Sequence, residues 1–415
     1  MARVDLVTPL EDDWRDTLDG VARARSWPDS REVARLGAAV ARLSAAYNDP
    51  SRATASARDA GAARLGFSFV RDVPKGAGAV RELVAGGALD LQGHEPLRVL
   101  DLGAGLGATT WGLVRALQSA GCTRPVEATW VDPDAQALEV AMAIVRARAS
   151  HPARVALRAR AVVQLVGPVM GLGAARFDVV LCGQLLSELD VGVPDDARLA
   201  RHTELLRGWL ADRLVPGGAL VVVEPALRDR TRHLHRVRDV LLARGAVVFA
   251  PCLHGAPCPA LVRDTDWCHE DLAVNLPRWL VPVARAAGLR HEGLTFSYLV
   301  LRAGGGPWGG LCDEVAAPPG GARLRVVSDT VRTKGKREAF LCGEFASEEV
   351  GPGLGGADLV AARARVTRLD RDESPANEAW TALRRGDIAI VSPAPRLAHP
   401  RVGMATRVLR HPSKP

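Results

Sequence analysis

The 415-residue chain contains no apolar run of about 18 residues, so no membrane-spanning helix is expected. Its start, MARVDLVTPLEDDW, lacks the basic region, apolar stretch and small-residue cleavage site of a signal peptide, and a soluble, cytoplasmic protein is expected. Cysteine is sparse, with seven residues in all. In a reducing compartment, those that cluster are expected to bind metal or do redox chemistry rather than to form a disulfide framework. Lysine is nearly absent: Lys75, Lys334, Lys336 and Lys414 are the only four among 54 basic residues. The net charge of +7 is therefore mostly an arginine bias, and alone it says little about a polyanionic partner. Neither an internal repeat nor a low-complexity block is evident. What is present is ordinary globular composition, 47% hydrophobic and 24% charged, in a length that suggests two or three domains.

Residues 1 to about 95 carry Ala/Arg/Leu-rich helical patterns, SREVARLGAAVARLSAAYND being the clearest, and no strand of length. From Leu97 the texture changes to short apolar runs separated by helix-length patterns. LRVLDLG, VEATWVDPD, RFDVVLCG and GALVVVEP read as strands, and Asp134 to Arg148 reads as a helix behind an Asp N-cap with Leu138, Met142 and Val145 on one face. Strands alternating with helices imply a parallel, doubly wound α/β sheet, here spanning residues 96–303 and ending with the buried-strand candidate FSYLVLRA. The Gly/Pro-rich stretch 304–321 is a plausible linker. Beyond it, residues 322–415 read as a small β-rich domain: strand, basic turn and strand in ARLRVVSDTVRTKGKREAFLCGEF, then a further strand in GDIAIVSP.

VLDLGAGLGATT places Gly103, Gly105 and Gly107 directly after a strand that carries Asp101, and before a helix that Thr109 or Thr110 could cap. Glycine suits a backbone that must turn tightly and lie against a ligand, with free N–H groups at the helix start. The spacing is not that of the dinucleotide fingerprint. It resembles the first motif of class I S-adenosylmethionine-dependent methyltransferases. TWVDPD, with Asp132 at the end of the second strand where a carboxylate can accept both ribose hydroxyls, and LVPGGALVVVEP extend the resemblance. Asp101, Gly103, Gly105, Gly107 and Asp132 are thus the expected cofactor-binding residues, and S-adenosylmethionine the expected cofactor. FDVVLCGQLLSELD holds neither the Asn/Asp-Pro-Pro-aromatic motif of amino-group methylation nor a Pro-Cys nucleophile, so no catalytic residue is assigned. Cys182 reads as a buried apolar residue, and Glu188 as an acid or base, a solvated carboxylate or a ribose ligand.

APCLHGAPCPALVRDTDWCHED, residues 250–271, gathers Cys252, Cys258 and Cys268 in Pro- and Gly-rich segments able to wrap a metal. Three soft thiolates suit zinc or an iron–sulfur cluster, with a fourth ligand from His254, His269 or a distant cysteine. The spacing is neither that of a C-x-x-C zinc finger nor that of a ferredoxin. Together PCLHGAPCP, DWCH, FSYLVL, TKGKREAFLCG and DLGAGLG resemble the mitochondrial and bacterial methyltransferase-like assembly-factor family of the small ribosomal subunit, from about Tyr47 to Ile390. The resemblance implies a class I methyltransferase fold with a Cys-rich insertion, and a [4Fe–4S] cluster held by Cys252, Cys258, Cys268 and Cys342, with zinc as the alternative. Cys122, Cys182 and Cys312 match nothing in the pattern. Family members commonly read Cys-Pro-His at the first cysteine, whereas Leu253 stands here; His254 and His269 are then expected as hydrogen-bonding neighbours of the cluster.

Six basic residues and one acidic residue lie between Arg323 and Arg337, and two of the four lysines fall in RTKGKR. Given the resemblance, Arg332, Lys334, Lys336 and Arg337 are expected to meet ribosomal RNA. Three readings are open: an assembly factor that binds the small subunit and its rRNA and is monomeric off the ribosome, an active S-adenosylmethionine-dependent rRNA methyltransferase, and a small-molecule methyltransferase with a structural zinc. The missing catalytic motif favours the first over the second, and the basic C-terminal part disfavours the third.

Overall fold

The computed structural model describes residues 7–48, 57–149, 155–304, 306, 316–347 and 359–411; most of the expected linker, with Cys312, lies outside them. The chain opens with the expected helices α1 (Asp12–Arg23), α2 (Val33–Asn48), α3 (Ala57–Ala63) and α4 (Phe69–Ala85), the last two joined by a π-helical turn over Arg64–Ser68. In α1 the residues at helical spacing, Trp14, Leu18, Val21 and Ala22, are buried. They share a core with the α/β sheet: one buried cluster joins Trp14, Leu36 and Val73 to Leu113, Trp130 and Phe296.

Eight strands form the large sheet: β1 (Leu97–Leu102), β2 (Val126–Asp132), β3 (Leu157–Val163), β4 (Phe177–Gly183), β5 (Leu214–Pro225), β6 (Val247–Ala250), β7 (Glu270–Leu272) and β8 (Leu294–Arg302). Their order is β3-β2-β1-β4-β5-β8-β6, with β7 paired to β8. The first five run parallel, and β8 is antiparallel to β5 and β6. Helices α5 (Ala108–Ser119), α6 (Ala135–Arg148), α7 (Asp195–Asp212), α8 (Arg228–Ala243) and the short α9 (Val281–Ala286) complete this part. Val99–Leu102 lies between Ala128–Val131 and Val179–Cys182, and its burial explains its near-continuous apolar run. Strand order reverses between β1 and β4, which opens a crevice at their carboxyl ends. The helix expected behind Asp134 is α6, and the Asp134 side chain accepts the Ala137 N–H at 3.0 Å.

Helix α4 lies backbone-to-backbone on α5. A Cβ on Gly112 would stand 2.5 Å from the Val73 carbonyl oxygen and 2.6 Å from the Ala77 nitrogen. Neither neighbour is a flexible side chain, so Gly112→Ala must push the helices apart. Overpacking of this kind leads to an expected loss of about 1–3 kcal/mol in urea unfolding; an unchanged midpoint would show that the helices are free to shift.

The C-terminal strands are β9 (Ala322–Val326), β10 (Val331–Thr333), β11 (Lys336–Ala346), β12 (Leu359–Leu369), β13 (Ile388–Ser392), β14 (Arg401–Val402) and β15 (Arg407–His411). They order as β14-β12-β11-β9-β13-β15, with β10 hairpinned onto β11. Because β14 lies parallel on β12 while β15 pairs with β13, the short turn between β14 and β15 joins the sheet's two edges and rolls it into a barrel. Leu324, Leu341, Phe345, Trp380 and Val408 fill its own core.

Candidate functional site: a glycine-lined crevice and a four-cysteine cavity

The crevice between β1 and β4 receives the glycine loop. Gly103, Gly105 and Gly107 take φ of +67°, +51° and +77°, where side chains are strained. A Cβ would strike the Leu185 side chain at Gly103 and the Trp130 ring at Gly107, at 2.8 and 2.7 Å. At Gly105 it would meet nothing within 4 Å, so the loop keeps open space at its tip. Asp132 accepts the Gly105 N–H and the Asp134 N–H, both at 2.8 Å, so its carboxylate closes the loop. Arg64 and Asp134 pair at 3.2 Å nearby.

Neither threonine caps α5. Gly107 is its N-cap, and the helix begins without a side-chain cap. Thr110 instead spends its hydroxyl and N–H on Asp101 Oδ2, at 2.6 and 3.2 Å, and accepts from the Trp130 indole. Thr109 packs on Gly183, where a Cβ would stand 2.1 Å from its hydroxyl. Asp101 Oδ1 is buried without a partner. Burial pushes the Asp101 carboxyl up to about 7, against the Thr110 hydrogen bonds and with a further push from Asp132. An orphaned carboxylate oxygen beside an open glycine loop is a place for a ligand's cationic group. Cys182 is fully buried and burial holds its thiol well above the ordinary range, so it is inert packing, as expected.

Cys252, Cys258, Cys268 and Cys342 line one cavity at the seam between the large sheet and the barrel. Three come from the segment between β6 and β7, the fourth from β11. Helix α8 sets the backbone around them. Arg238 donates to the carbonyls of Ala256 and His254 at 2.7 and 2.8 Å, Asp239 accepts the Cys258 N–H at 2.9 Å, and Arg232 donates to Arg263 and Asp266 carbonyls, each at 2.7 Å. His254 Nε2 stands 3.9 Å from the Cys342 sulfur, and burial with the nearby Arg238 lowers that imidazole to about 4. His269 differs: its ring stacks on Trp267 at 5.8 Å, and Arg385 takes its carbonyl. His235, Arg238 and Arg363 also line the cavity, and in the sequence they carry no spacing signal that could have found them. Burial and the neighbouring thiols push Cys268 up to about 11 and raise Cys258 and Cys342 as well. Among the described residues, no three His, Cys, Asp or Glu side chains converge closely enough to hold one metal ion. A tetrahedral zinc needs four thiolates about 2.3 Å from one centre, and these cysteines ring the cavity without meeting at such a point.

Behind the cavity lies a buried ionic network. Arg325 of β9 donates both terminal nitrogens to Glu82 of α4, each at 3.1 Å, a third bond to the Gly386 carbonyl at 2.7 Å and its Nε to the Pro251 carbonyl at 2.9 Å. Tyr298 of β8 donates to Glu82 at 2.8 Å, and Arg81 pairs with Glu270 at 2.6 Å. The basic turn is the β10–β11 hairpin. Arg332 and Lys334 are exposed, Lys336 and Arg337 half-exposed, and Arg332 stands directly opposite Arg337. Like charges facing across strands cost stability, which a polyanion would relieve. Among the described residues, Lys336 alone of these four is paired in a salt bridge, with Glu338 at 3.0 Å.

The family profile described as mitochondrial small ribosomal subunit Rsm22 matches residues 72–349. No curated protein matches the chain. Among solved structures, the plantazolicin methyltransferase BpumL in complex with SAH is 10% identical, over 70% of this chain and 96% of that one, with a TM-score of 0.33. A putative class I S-adenosylmethionine-dependent methyltransferase of Listeria monocytogenes is 13% identical, over 70% and 86%, with a TM-score of 0.33. By its own strand order, β3-β2-β1-β4-β5-β8-β6 with β8 antiparallel between β5 and β6, the sheet has the expected class I methyltransferase architecture, with helices before it and a β-rich part after it.

Proposed function

The chain belongs to the mitochondrial small ribosomal subunit Rsm22 family, and from that membership we propose that it is an assembly factor of the small ribosomal subunit that binds rRNA. In this reading it holds S-adenosylmethionine in the glycine-lined crevice and a [4Fe–4S] cluster between sheet and barrel. The observation that carries the proposal is that Cys342 lines one cavity with Cys252, Cys258 and Cys268 and lies on β11, the strand that also forms the basic hairpin of Arg332, Lys334, Lys336 and Arg337. Four cysteines lining one cavity are the ligand set that a [4Fe–4S] cluster takes, with zinc as the alternative. Co-sedimentation with immature small subunits tests the reading. Replacing Lys334, Lys336 and Arg337 together by Ala should weaken it and flatten its salt dependence by about two to three phosphate contacts. Wild-type protein that fails to co-sediment would refute it.

S-adenosylmethionine would supply an electrophilic methyl on sulfonium. Asp101 Oδ1 would accept its ammonium group, Gly105 leaves room for it, and Asp132 has lone pairs left for hydroxyl donors. The sign of the pH dependence comes from Asp101. The free carboxyl titrates near 7 and a bound cation lowers that value, so affinity is lost as pH falls below about 7, by up to about tenfold per unit. Calorimetric titration on both sides of neutrality should show this slope, and Asp101→Asn should bind weakly with no slope. A wild-type affinity that does not change with pH would remove Asp101 from the site.

A second reading, methyl transfer to rRNA, is favoured by Gln184. It holds φ of +60° at the carboxyl end of β4, a strained conformation for a non-glycine residue, and the adjoining turn is fixed by Glu224 accepting the Leu186 and Ser187 N–H groups at 2.8 and 3.2 Å. Transfer of labelled methyl to immature subunits, abolished in Gln184→Ala, would establish it.

A further inference from the structure

The strand order of the barrel carries more than its charge. Spatially β12, β11, β9 and β13 lie side by side, a Greek key in which the fourth strand returns beside the first. A helical turn over Pro375–Ala382 separates the third strand from the fourth, and the last strand returns parallel to the third through β14. This is the five-stranded, partly open barrel of the OB kind, whose second and third strands offer an outer face to oligonucleotides, flanked by the loop between strands one and two. Here those strands are β11 and β12, and that loop contains the basic hairpin. A fold alone assigns no function, so the argument turns on what the face carries.

Alternation along β11 sends Ala339, Leu341 and Phe345 into the barrel core and leaves Lys336, Glu338, Phe340 and Cys342 outside. Phe340, a large aromatic, is half-exposed where the alternation calls for a polar residue. Across from it on β12 stands Arg365, which is exposed. Both Arg365 and Arg363 lay their guanidinium groups over the Phe340 ring, at 5.1 and 5.7 Å from its centroid. Glu338 is taken up by Lys336 and by Thr367, at 3.0 Å each. Glu344, the other acid on this side of β11, lies beyond Cys342, away from the hairpin. Between hairpin and seam the face is thus cationic, with one flat ring and guanidinium planes stacked on it.

Resting on the reading of the chain as an rRNA binder, we propose that this face takes a single-stranded segment of RNA, with unpaired bases stacked on Phe340 and Arg365 and phosphates on the β10–β11 hairpin. A duplex buries its base faces and presents phosphates and 2′-hydroxyls, for which a ring flanked by arginines has no use. A single strand offers a π-face at every base, and stacking on aromatic and guanidinium planes holds it without regard to sequence.

Anisotropy with the full-length, iron-replete protein tests this, using a labelled oligouridylate of about 12 nucleotides, an abasic strand of the same charge and an RNA duplex of equal length. Wild type should bind the oligouridylate about tenfold or more tighter than either of the others. Phe340→Leu, which keeps apolar bulk, should lose about tenfold on the oligouridylate alone, with the salt slope unchanged. Arg365→Gln, on an exposed side chain that leaves the fold intact, should also weaken the oligouridylate and make the slope shallower by about one. Equal binding of all three probes, or a neutral Phe340→Leu, overturns the proposal. If the triple alanine hairpin variant still loses RNA in that case, the ribosomal reading stands without it. Base-dependent binding by a protein that does not co-sediment with subunits would instead overturn the ribosomal reading and leave the single-strand face in place.

Discussion

Replacing Arg325 by Met should destabilise the chain by about 3–5 kcal/mol, because it leaves the Glu82 carboxylate buried without its cation. The Glu82 and Arg325 side chains are 2% and 5% exposed, so water cannot compensate either charge. The guanidinium spends four of its five N–H donors on Glu82, Pro251 and Gly386, and these partners come from α4, the start of the cysteine segment and the loop before β13. Burial and the Glu82 carboxylate hold the Tyr298 phenol well above its ordinary range, so it remains a donor to that carboxylate. Arg81 and Glu270 balance the network to zero net charge. Glu82→Gln should cost less than Arg325→Met, since an amide can still accept from Tyr298. Glu82→Leu with Arg325→Met should cost much less than the sum of the single changes, because no charge is then stranded. Urea unfolding of the wild type and these variants measures this. Single changes that cost under about 1 kcal/mol would place the pair among solvent-screened contacts.

Iron content should fall from about four atoms per chain to well under one in Cys342→Ser, although the other three cysteines are intact and more than seventy residues away in sequence. A hydroxyl is a poor substitute for thiolate toward a soft metal centre. The barrel should nonetheless stay docked, since Arg325 to Glu82, Arg363 to the Trp267 carbonyl and Arg385 to the His269 carbonyl cross the seam independently of Cys342. RNA affinity should then drop less than iron does, and adding Arg325→Met should bring it down further. Full iron and acid-labile sulfide in Cys342→Ser would remove Cys342 from the site. Stoichiometric zinc without sulfide in anaerobically purified wild type would remove the cluster.

Much of this is legible in the sequence. Gly103, Gly105 and Gly107 announce their turn because no other residue takes those φ values cheaply, and Asp134 announces α6 because a cap must precede the first apolar position. The buried strands β1, β2, β4, β5 and β8 stand out as apolar runs. Strand β3 does not: LRARAVV lies on the sheet edge with every residue half-exposed or exposed, and its arginines disguise it. The threonines after the loop look like caps by type, yet Gly107 caps the helix and Thr110 serves Asp101. Least legible is the network of Arg81, Glu82, Glu270 and Arg325. Charged residues read as surface in any one-dimensional pattern, and only the meeting of three distant segments, α4, β7 and β9, makes these four together neutral and buried. Phe340 is hidden for a related reason: its exposure is decided by the register of β11, not by its own neighbours in sequence.

That the fourth cysteine arrives on a separate strand also has a meaning in time. During synthesis Cys268 precedes Cys342 by more than seventy residues, so at about 5–20 residues per second the first three thiols wait roughly 4–15 s for the fourth. Folding of the barrel core must come next before β11 can present it. The four-cysteine set is therefore assembled only after β11 has been made, and a chain ending before β11 would carry Cys252, Cys258 and Cys268 without Cys342. On the proposed reading, loading of the cluster would thereby wait for the strand of the barrel that brings Cys342 to the seam.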